Sequence, residues 1–169
     1  VSDQAGQSNI MSRLKSIGIQ VEKNDPKIKK LLEEVKDREF IGYSYDGADA
    51  SFELLARRLM GEIPRYISIN EYNVSVKKDN TGEIISHAKA QLEVDGQKIL
   101  CEGQGNGPVN ALDNAIRKNV NKLAKYSEYL KDLKLVDYKV RILNTGTEAV
   151  TRVSIESTDA KGVNWFTIG

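Results

Sequence analysis

A three-strand pattern is begun twice in this sequence, and no other feature restricts the possible folds as much. From Ile67 the spacing of apolar residues changes from near four to two. Ile67 and Ile69, then Tyr72, Val74 and Val76, alternate with polar residues, and the phase slip near Asn70-Glu71 implies a β-bulge. A turn at Asp79-Asn80-Thr81-Gly82 leads to a strand with Ala88, Ala90, Leu92 and Val94 on one face. Asp95-Gly96 then predicts a tight hairpin, because both residues accept positive φ. A third strand carries Ile99 and Cys101 into Gly103-Gln-Gly105-Asn-Gly107-Pro108. The spacing predicts a helix from about Asn106 to Lys125, with Val109, Leu112, Ile116, Val120 and Leu123 as its buried stripe.

The pattern then restarts. Tyr138-Lys-Val140-Arg-Ile142 echoes Tyr72-Asn-Val74-Ser-Val76, and Gly146-Thr147-Glu148 echoes Thr81-Gly82-Glu83. An alternating strand follows with Thr151, Val153 and Ile155, then a turn at Asp159-Ala-Lys-Gly162 and a third strand from Val163 to Ile168. The repeat is βββα followed by βββ, and the chain is expected to be a piece of a longer protein because the second helix is missing.

The first third reads as helical. Ser8 is a candidate cap for a helix with Ile10, Leu14 and Ile17 on one face and Gly18 as its stop. Asp25-Pro26 opens a second helix with Ile28, Leu31, Leu32 and Val35 buried, while Lys27, Lys29, Lys30, Glu33 and Glu34 form a solvated face. A third helix follows Asp46-Gly47 with Ala48, Phe52, Leu55 and Leu59 on one stripe, ending at Gly61 before Pro64. Three short helices bury little area alone, so this segment is expected to pack on something larger. The fold class is α+β: a helical linker over residues 1–62, then a pseudo-twofold βββα repeat over residues 63–169 with its last helix missing.

Composition narrows the chemistry. The sequence has 25 Lys+Arg against 24 Asp+Glu, a net charge of +1, which argues against a nucleic-acid or anionic-membrane surface. One cysteine and one histidine exclude an internal disulfide framework and any Cys-based or His-rich metal site. No apolar run is long enough to span a membrane and no signal-peptide pattern opens the chain, so a cytoplasmic location is expected. His87 lies opposite Ala88 and Ala90 with no nucleophile or orienting acid beside it, and Cys101 reads as a small buried hydrophobe. No catalytic constellation is found.

Gly103-x-Gly105-x-Gly107 lies between a strand and a helix, but it is not G-x-G-x-x-G and no parallel βαβ unit surrounds it. Two readings stay open: a tight strand-to-helix turn, or a small-ligand site in which the free amides of the helix N-terminus attract a carboxylate. The element order also resembles a double-stranded RNA-binding domain. That module needs lysines at the helix N-terminus, whereas Gly107-Pro108-Val109-Asn110-Ala111 has no cation until Arg117.

A second resemblance covers nearly the whole chain. The runs Val1-Ser-Asp-Gln-Ala-Gly-Gln-Ser-Asn-Ile10, Gly42-Tyr-Ser-Tyr-Asp-Gly-Ala-Asp-Ala-Ser-Phe-Glu-Leu-Leu55, Gly105-Asn-Gly-Pro-Val-Asn-Ala111, Leu135-Val-Asp-Tyr-Lys-Val-Arg-Ile142 and Val150-Thr-Arg-Val-Ser-Ile-Glu-Ser-Thr158 are similar to the C-terminal part of the 2-isopropylmalate synthase family. The second and fourth of them most resemble its (R)-citramalate synthase branch. This resemblance implies a parent enzyme that condenses acetyl-CoA with a 2-oxo acid, pyruvate for that branch, on a metal-dependent TIM barrel. The barrel is absent here, and with it the divalent metal and acetyl-CoA sites, so no cofactor and no catalytic residue is expected in this piece. Residues 1–62 would be linker subdomains that partly lid the active site, and the remainder an allosteric domain that forms a homodimer. The resemblance further implies a branched-chain amino acid effector, isoleucine or else leucine, that inhibits the distant active site. The matching positions are Gly105, Asn106, Gly107, Pro108, Val109 and Asn110 in the helix-entry loop, Leu135, Tyr138 and Ile142 on the first strand of the second unit, and Ala149 on its second strand. A dimerisation domain without ligand binding is the blander reading.

Overall fold

The computed structural model describes residues 3–169, with side chains from residue 6, so Val1 and Ser2 of the Val1–Ile10 motif lie outside the described residues. In chain order the elements are α1 (Asp3–Ser16), α2 (Pro26–Phe40), α3 (Asp49–Met60), β1 (Ile67–Lys78), β2 (Ile84–Val94) and β3 (Gln97–Gly105). They continue with α4 (Pro108–Val120), α5 (Ala124–Leu130), β4 (Lys134–Ile142), β5 (Thr151–Thr158) and β6 (Asn164–Ile168). Helices followed by two antiparallel three-stranded sheets, ordered β1-β2-β3 and β4-β5-β6, make this an α+β chain. It forms two compact units, Val1–Pro64 with Lys134–Gly169, and Arg65–Leu133.

In the first unit, Asp25 caps α2 by accepting the Lys27 amide at 2.8 Å, and Pro26 fills the position where an amide would be unsatisfied anyway. Ile28, Leu31, Leu32 and Val35 are all buried, joining Ile10, Leu14, Ile19, Tyr45, Ala48, Phe52 and Ala56 in one core. The larger body that this helical segment needs is the second sheet, because Ile168 of β6 enters the same core. α3 stops at Gly61, whose φ of +76° is left-handed and suits a residue without Cβ. One expectation fails here. Ser8 does not cap α1 but lies inside it, since the helix starts five residues earlier through a polar stretch with no apolar period to reveal it.

In the second unit, β1 and β2 pair with a register shift between Ile69 and Glu71, the expected bulge. It keeps Ile69 (opposite Leu92) and Tyr72 (opposite Ala90) on one face although they are three residues apart. Asp95 and Gly96 both have positive φ, 50° and 79°, which gives the tight β2–β3 turn. Ala88, Ala90, Leu92 and Val94 are buried beneath α4 together with Cys101, whose thiol pKa is pushed up by burial.

The expected single helix over 106–125 is two helices. α4 ends at Val120, where Lys122 and Leu123 bond back three residues to Asn119 and Val120, and α5 begins at Ala124. Its buried residues are Ala111, Ala115 and Val120; Leu112, Ile116 and Leu123 are half-buried, and Val109 is 52% exposed. The small alanines sit inside because the strand below comes too close for a larger side chain.

Candidate functional site

The β3–α4 corner is built from glycines that have different jobs. A Cβ on Gly103 would lie 2.4 Å from the Ala115 amide nitrogen, and one on Gly105 would lie 2.6 Å from that of Ala111. These two positions therefore permit α4 to rest directly on β3; neither has a positive φ, so the need is for space and not for the backbone freedom of a tight turn. Gly107 differs: a Cβ there would meet open space, and its backbone is extended. Asn110 Oδ1 accepts the Asn106 amide at 3.2 Å, and Asn114 donates to the Gln104 carbonyl at 2.9 Å, which fixes the corner.

α4 opens without a side-chain cap, and its first backbone bond runs from the Ala111 amide to the Gly107 carbonyl at 2.9 Å. The Val109 and Asn110 amides, in the first turn, have no intrahelical acceptor. Asn106, Pro108, Val109 and Asn110 are exposed, while Gly105 and Gly107 are half-buried. Exposed amides at the positive end of a helix dipole can receive a carboxylate.

One residue near this corner escapes sequence reasoning. Ser86, fully buried and opposite Gly105, has a hydroxyl with no hydrogen-bond partner. The available signal is that it continues the Ala88-Ala90-Leu92 face two residues upstream as a polar interruption.

In the other unit, β4 repeats the device seen in β1. A register shift between Leu135 and Asp137 puts Leu135, Tyr138 and Ile142 on one face, opposite Ser157, Ile155 and Thr151. Val140 belongs to this face too, opposite Val153, and so does Trp165, which pairs with Ser157. The face is apolar and open: Tyr138 is 39% exposed and Ile142 66%. Asp137 points to the other face, where its carboxyl pKa is held below the usual range by the Lys139 ammonium and by the Tyr138 amide. Ala149 is not on β5 as expected. It lies in the loop after β4, two residues before β5 begins, and its amide reaches the Gly146 carbonyl at 3.3 Å. The turn chemistry of Gly146 and Asn144, which accepts the Val150 amide at 2.6 Å, delays the strand.

Gly105 to Asn110 are thus gathered in one unit, and Leu135, Tyr138 and Ile142 on one strand face of the other, with Ala149 in the adjoining loop. His87 lines an open cavity of about 430 Å³ with Lys89, Glu102, Gln104, Asn114 and Lys118, a set with no paired nucleophile and base. Among the described residues, no three His, Cys, Asp or Glu side chains are grouped as a metal site, and no helix is long and apolar enough to cross a membrane.

Comparison with known proteins agrees with this architecture. Residues 46–169 match the family described as the LeuA allosteric (dimerisation) domain. The whole chain is 42% identical over 172 residues to an (R)-citramalate synthase of Aquifex aeolicus (strain VF5), covering 32% of that protein. It is 41% identical to the (R)-citramalate synthase of Geobacter sulfurreducens, again with 100% of this chain and 32% of the relative. A 2-isopropylmalate synthase of Cupriavidus pinatubonensis is 34% identical over 96 residues, 57% of this chain and 16% of its own length. The chain spans about a third of the length of the first two relatives. With two βββ sheets, a helix packed on the first of them, and the matched region running from Asp46 through both sheets, the chain belongs to the LeuA allosteric (dimerisation) domain family.

Proposed function

We propose that this chain is the regulatory part of an (R)-citramalate synthase and that it binds a branched-chain amino acid, isoleucine, to bring about feedback inhibition. The observation that carries this reading is the likeness to (R)-citramalate synthases along the full chain. Two local surfaces support it, each within its own unit. The Val109 and Asn110 amides suit an α-carboxylate, and the Leu135, Tyr138, Val140 and Ile142 face suits a branched aliphatic side chain. Ala149 borders the second surface. Catalysis, with its divalent metal and acetyl-CoA, belongs in this reading to a TIM barrel in the same parent chain, and residues 1–62 to the linker that follows it. The allosteric domain pairs as a homodimer in a cytoplasmic enzyme. Effector binding shifts a two-state equilibrium of dimer and linker by no more than its differential affinity for the two states. The likeness to a 2-isopropylmalate synthase over 57% of the chain favours a second reading, in which leucine is the effector.

Thermal unfolding tests the assignment. A ligand at about 100 times its Kd adds about 2.7 kcal/mol to the stability of the form that binds it. Saturating isoleucine is therefore expected to raise Tm by several degrees. Tyr138→Ala is expected to abolish that rise while leaving the unliganded Tm within about 2 °C, since Tyr138 is already substantially exposed. An equal rise in the variant would remove Tyr138 from the site.

A further inference from the structure

The Gly42–Phe52 run stands out in the sequence, yet nothing in effector binding accounts for it. Its place in the fold does. Three successive carbonyls of this segment are gripped from two sides. Arg152 of β5 donates to the Ser44 carbonyl at 2.7 Å and the Asp46 carbonyl at 3.2 Å, while Arg13 of α1 donates to the Tyr45 carbonyl between them at 3.3 Å. Arg13 also lies 4.0 Å above the Phe52 ring. The same segment closes on β6: the Tyr43 hydroxyl donates to the Ile168 carbonyl, and the Ile168 amide donates to the Ser51 hydroxyl at 3.0 Å.

These contacts lie on the reverse of the sheet that presents the β4 face. Arg152 is opposite Arg141 and Ile168 is opposite Ser154, whereas Tyr138, Val140 and Ile142 are opposite Ile155, Val153 and Thr151. Residues alternate between faces along a strand, so one face is open while the other is fastened to the helices. The two faces also meet at the end of β4. Leu143, next to Ile142, lies so close to Gly42 that a Cβ on Gly42 would fall 2.6 Å from its Cδ1.

The grip is incomplete. Arg152 Nε is buried without a hydrogen-bond partner, and the side chain sits across from a second arginine. A charged group satisfied only in part, beside a like charge, is a joint that a small movement of β5 can loosen or tighten.

We propose that the Gly42–Phe52 segment couples the β4 face to helices α1–α3, with Arg152 as the positioning residue. This rests on the effector reading given above. Within one sheet, a ligand seated against Tyr138 and Ile142 changes the pose of β5 and β6, and the Arg152, Tyr43 and Ser51 contacts carry that change to the linker helices. Coupling of this kind needs an element that both sites bias, and this segment is in contact with both the sheet and the helices.

Hydrogen exchange on the intact 169-residue chain, with and without saturating L-isoleucine, tests it. In the unaltered chain, the β4 amides and those of residues 43–52 are both expected to change exchange rate, by at least fivefold. In Arg152→Met, β4 is expected to keep its response while that of residues 43–52 falls below twofold, and Arg152→Lys should restore part of it. Arg141→Met, which removes only the like charge across the strand pair, should leave the β4 response in place and keep that of residues 43–52 above twofold. If Arg152→Met does not fold, Tyr43→Phe removes only the bond to Ile168 and is expected to weaken the 43–52 response by at least half. An undiminished response in Arg152→Met, or in Tyr43→Phe where that variant stands in, overturns the coupling, as does a silent 43–52 segment beside a responding β4. No response anywhere to isoleucine sinks the effector reading itself, and the coupling with it.

Discussion

At Gly103 and Gly105 the backbone of β3 meets that of α4, and the consequences of one methyl group follow from the distances. Gly103→Ala would bring a Cβ to 2.4 Å from the Ala115 nitrogen and 2.7 Å from its Cα, and those two atoms belong to packed backbone that cannot swing aside. Overpacking of this sort costs about 1–3 kcal/mol, so denaturant unfolding of the Arg65–Leu133 unit should show a free energy lower by that amount, with an earlier midpoint. Leu31, fully buried among the helices of the other unit, shows the reverse defect with the same sign: Leu31→Ala leaves a cavity and is expected to cost about 2–5 kcal/mol in denaturant unfolding of that unit. Ser86→Ala removes an unpartnered buried hydroxyl and should be neutral or stabilising by about 1 kcal/mol. A loss of more than that would mean the hydroxyl has a partner after all. None of these roles except Leu31 is legible in the sequence. A glycine in a loop motif suggests freedom of the backbone, and only the packed helix shows that the need is for space.

Among the elements, strands and turns are the most legible because their signals are local. The β1 bulge follows from a phase slip, and the β2–β3 turn from Asp95-Gly96. The break between α4 and α5 is illegible for the converse reason. Leu112, Ile116, Val120 and Leu123 keep a helical spacing across it, with neither glycine nor proline at Asn121-Lys122. A tertiary tie turns the chain instead: Asp95 accepts from Lys125 at 2.9 Å and from Tyr126 at 2.8 Å, drawing α5 back to the hairpin turn. Those bonds, Lys125 first, hold the Asp95 carboxyl pKa below its ordinary value. The sign follows from the depressed folded pKa: the tie is fully present above the ordinary carboxylate range and is lost as pH falls through that range and below. Exchange protection of α5 should therefore decline on acidification. Asp95→Asn, which still accepts positive φ, should remove this pH dependence; a decline that survives in the variant would assign it to another group.

For the whole molecule, the repeat is the part that sequence periodicity reveals, and it carries most of the fold. Periodicity identifies which face of a helix or strand is buried but not what covers it. The apolar stripes of α2 and α3 are visible in the sequence, whereas the entry of Ile168 into their core, from more than a hundred residues away, is not. Nor is the pairing of the helical segment with β4–β6 in one compact unit, which gives the Gly42–Phe52 run its place. The β4 surface is legible to different degrees in its two parts. The β4 face follows from alternation and a bulge, while the position of Ala149 depends on loop chemistry that delays β5. Both proposals stand on recognition of a branched-chain amino acid by this chain. Calorimetric titration with isoleucine, leucine and valine, with a duplex RNA control, measures that directly. Saturable binding of one isoleucine per chain, tighter than leucine or valine and without heat from RNA, is the expected result. Tighter leucine binding would move the chain to the second reading, and no binding of any of the three amino acids would contradict the account.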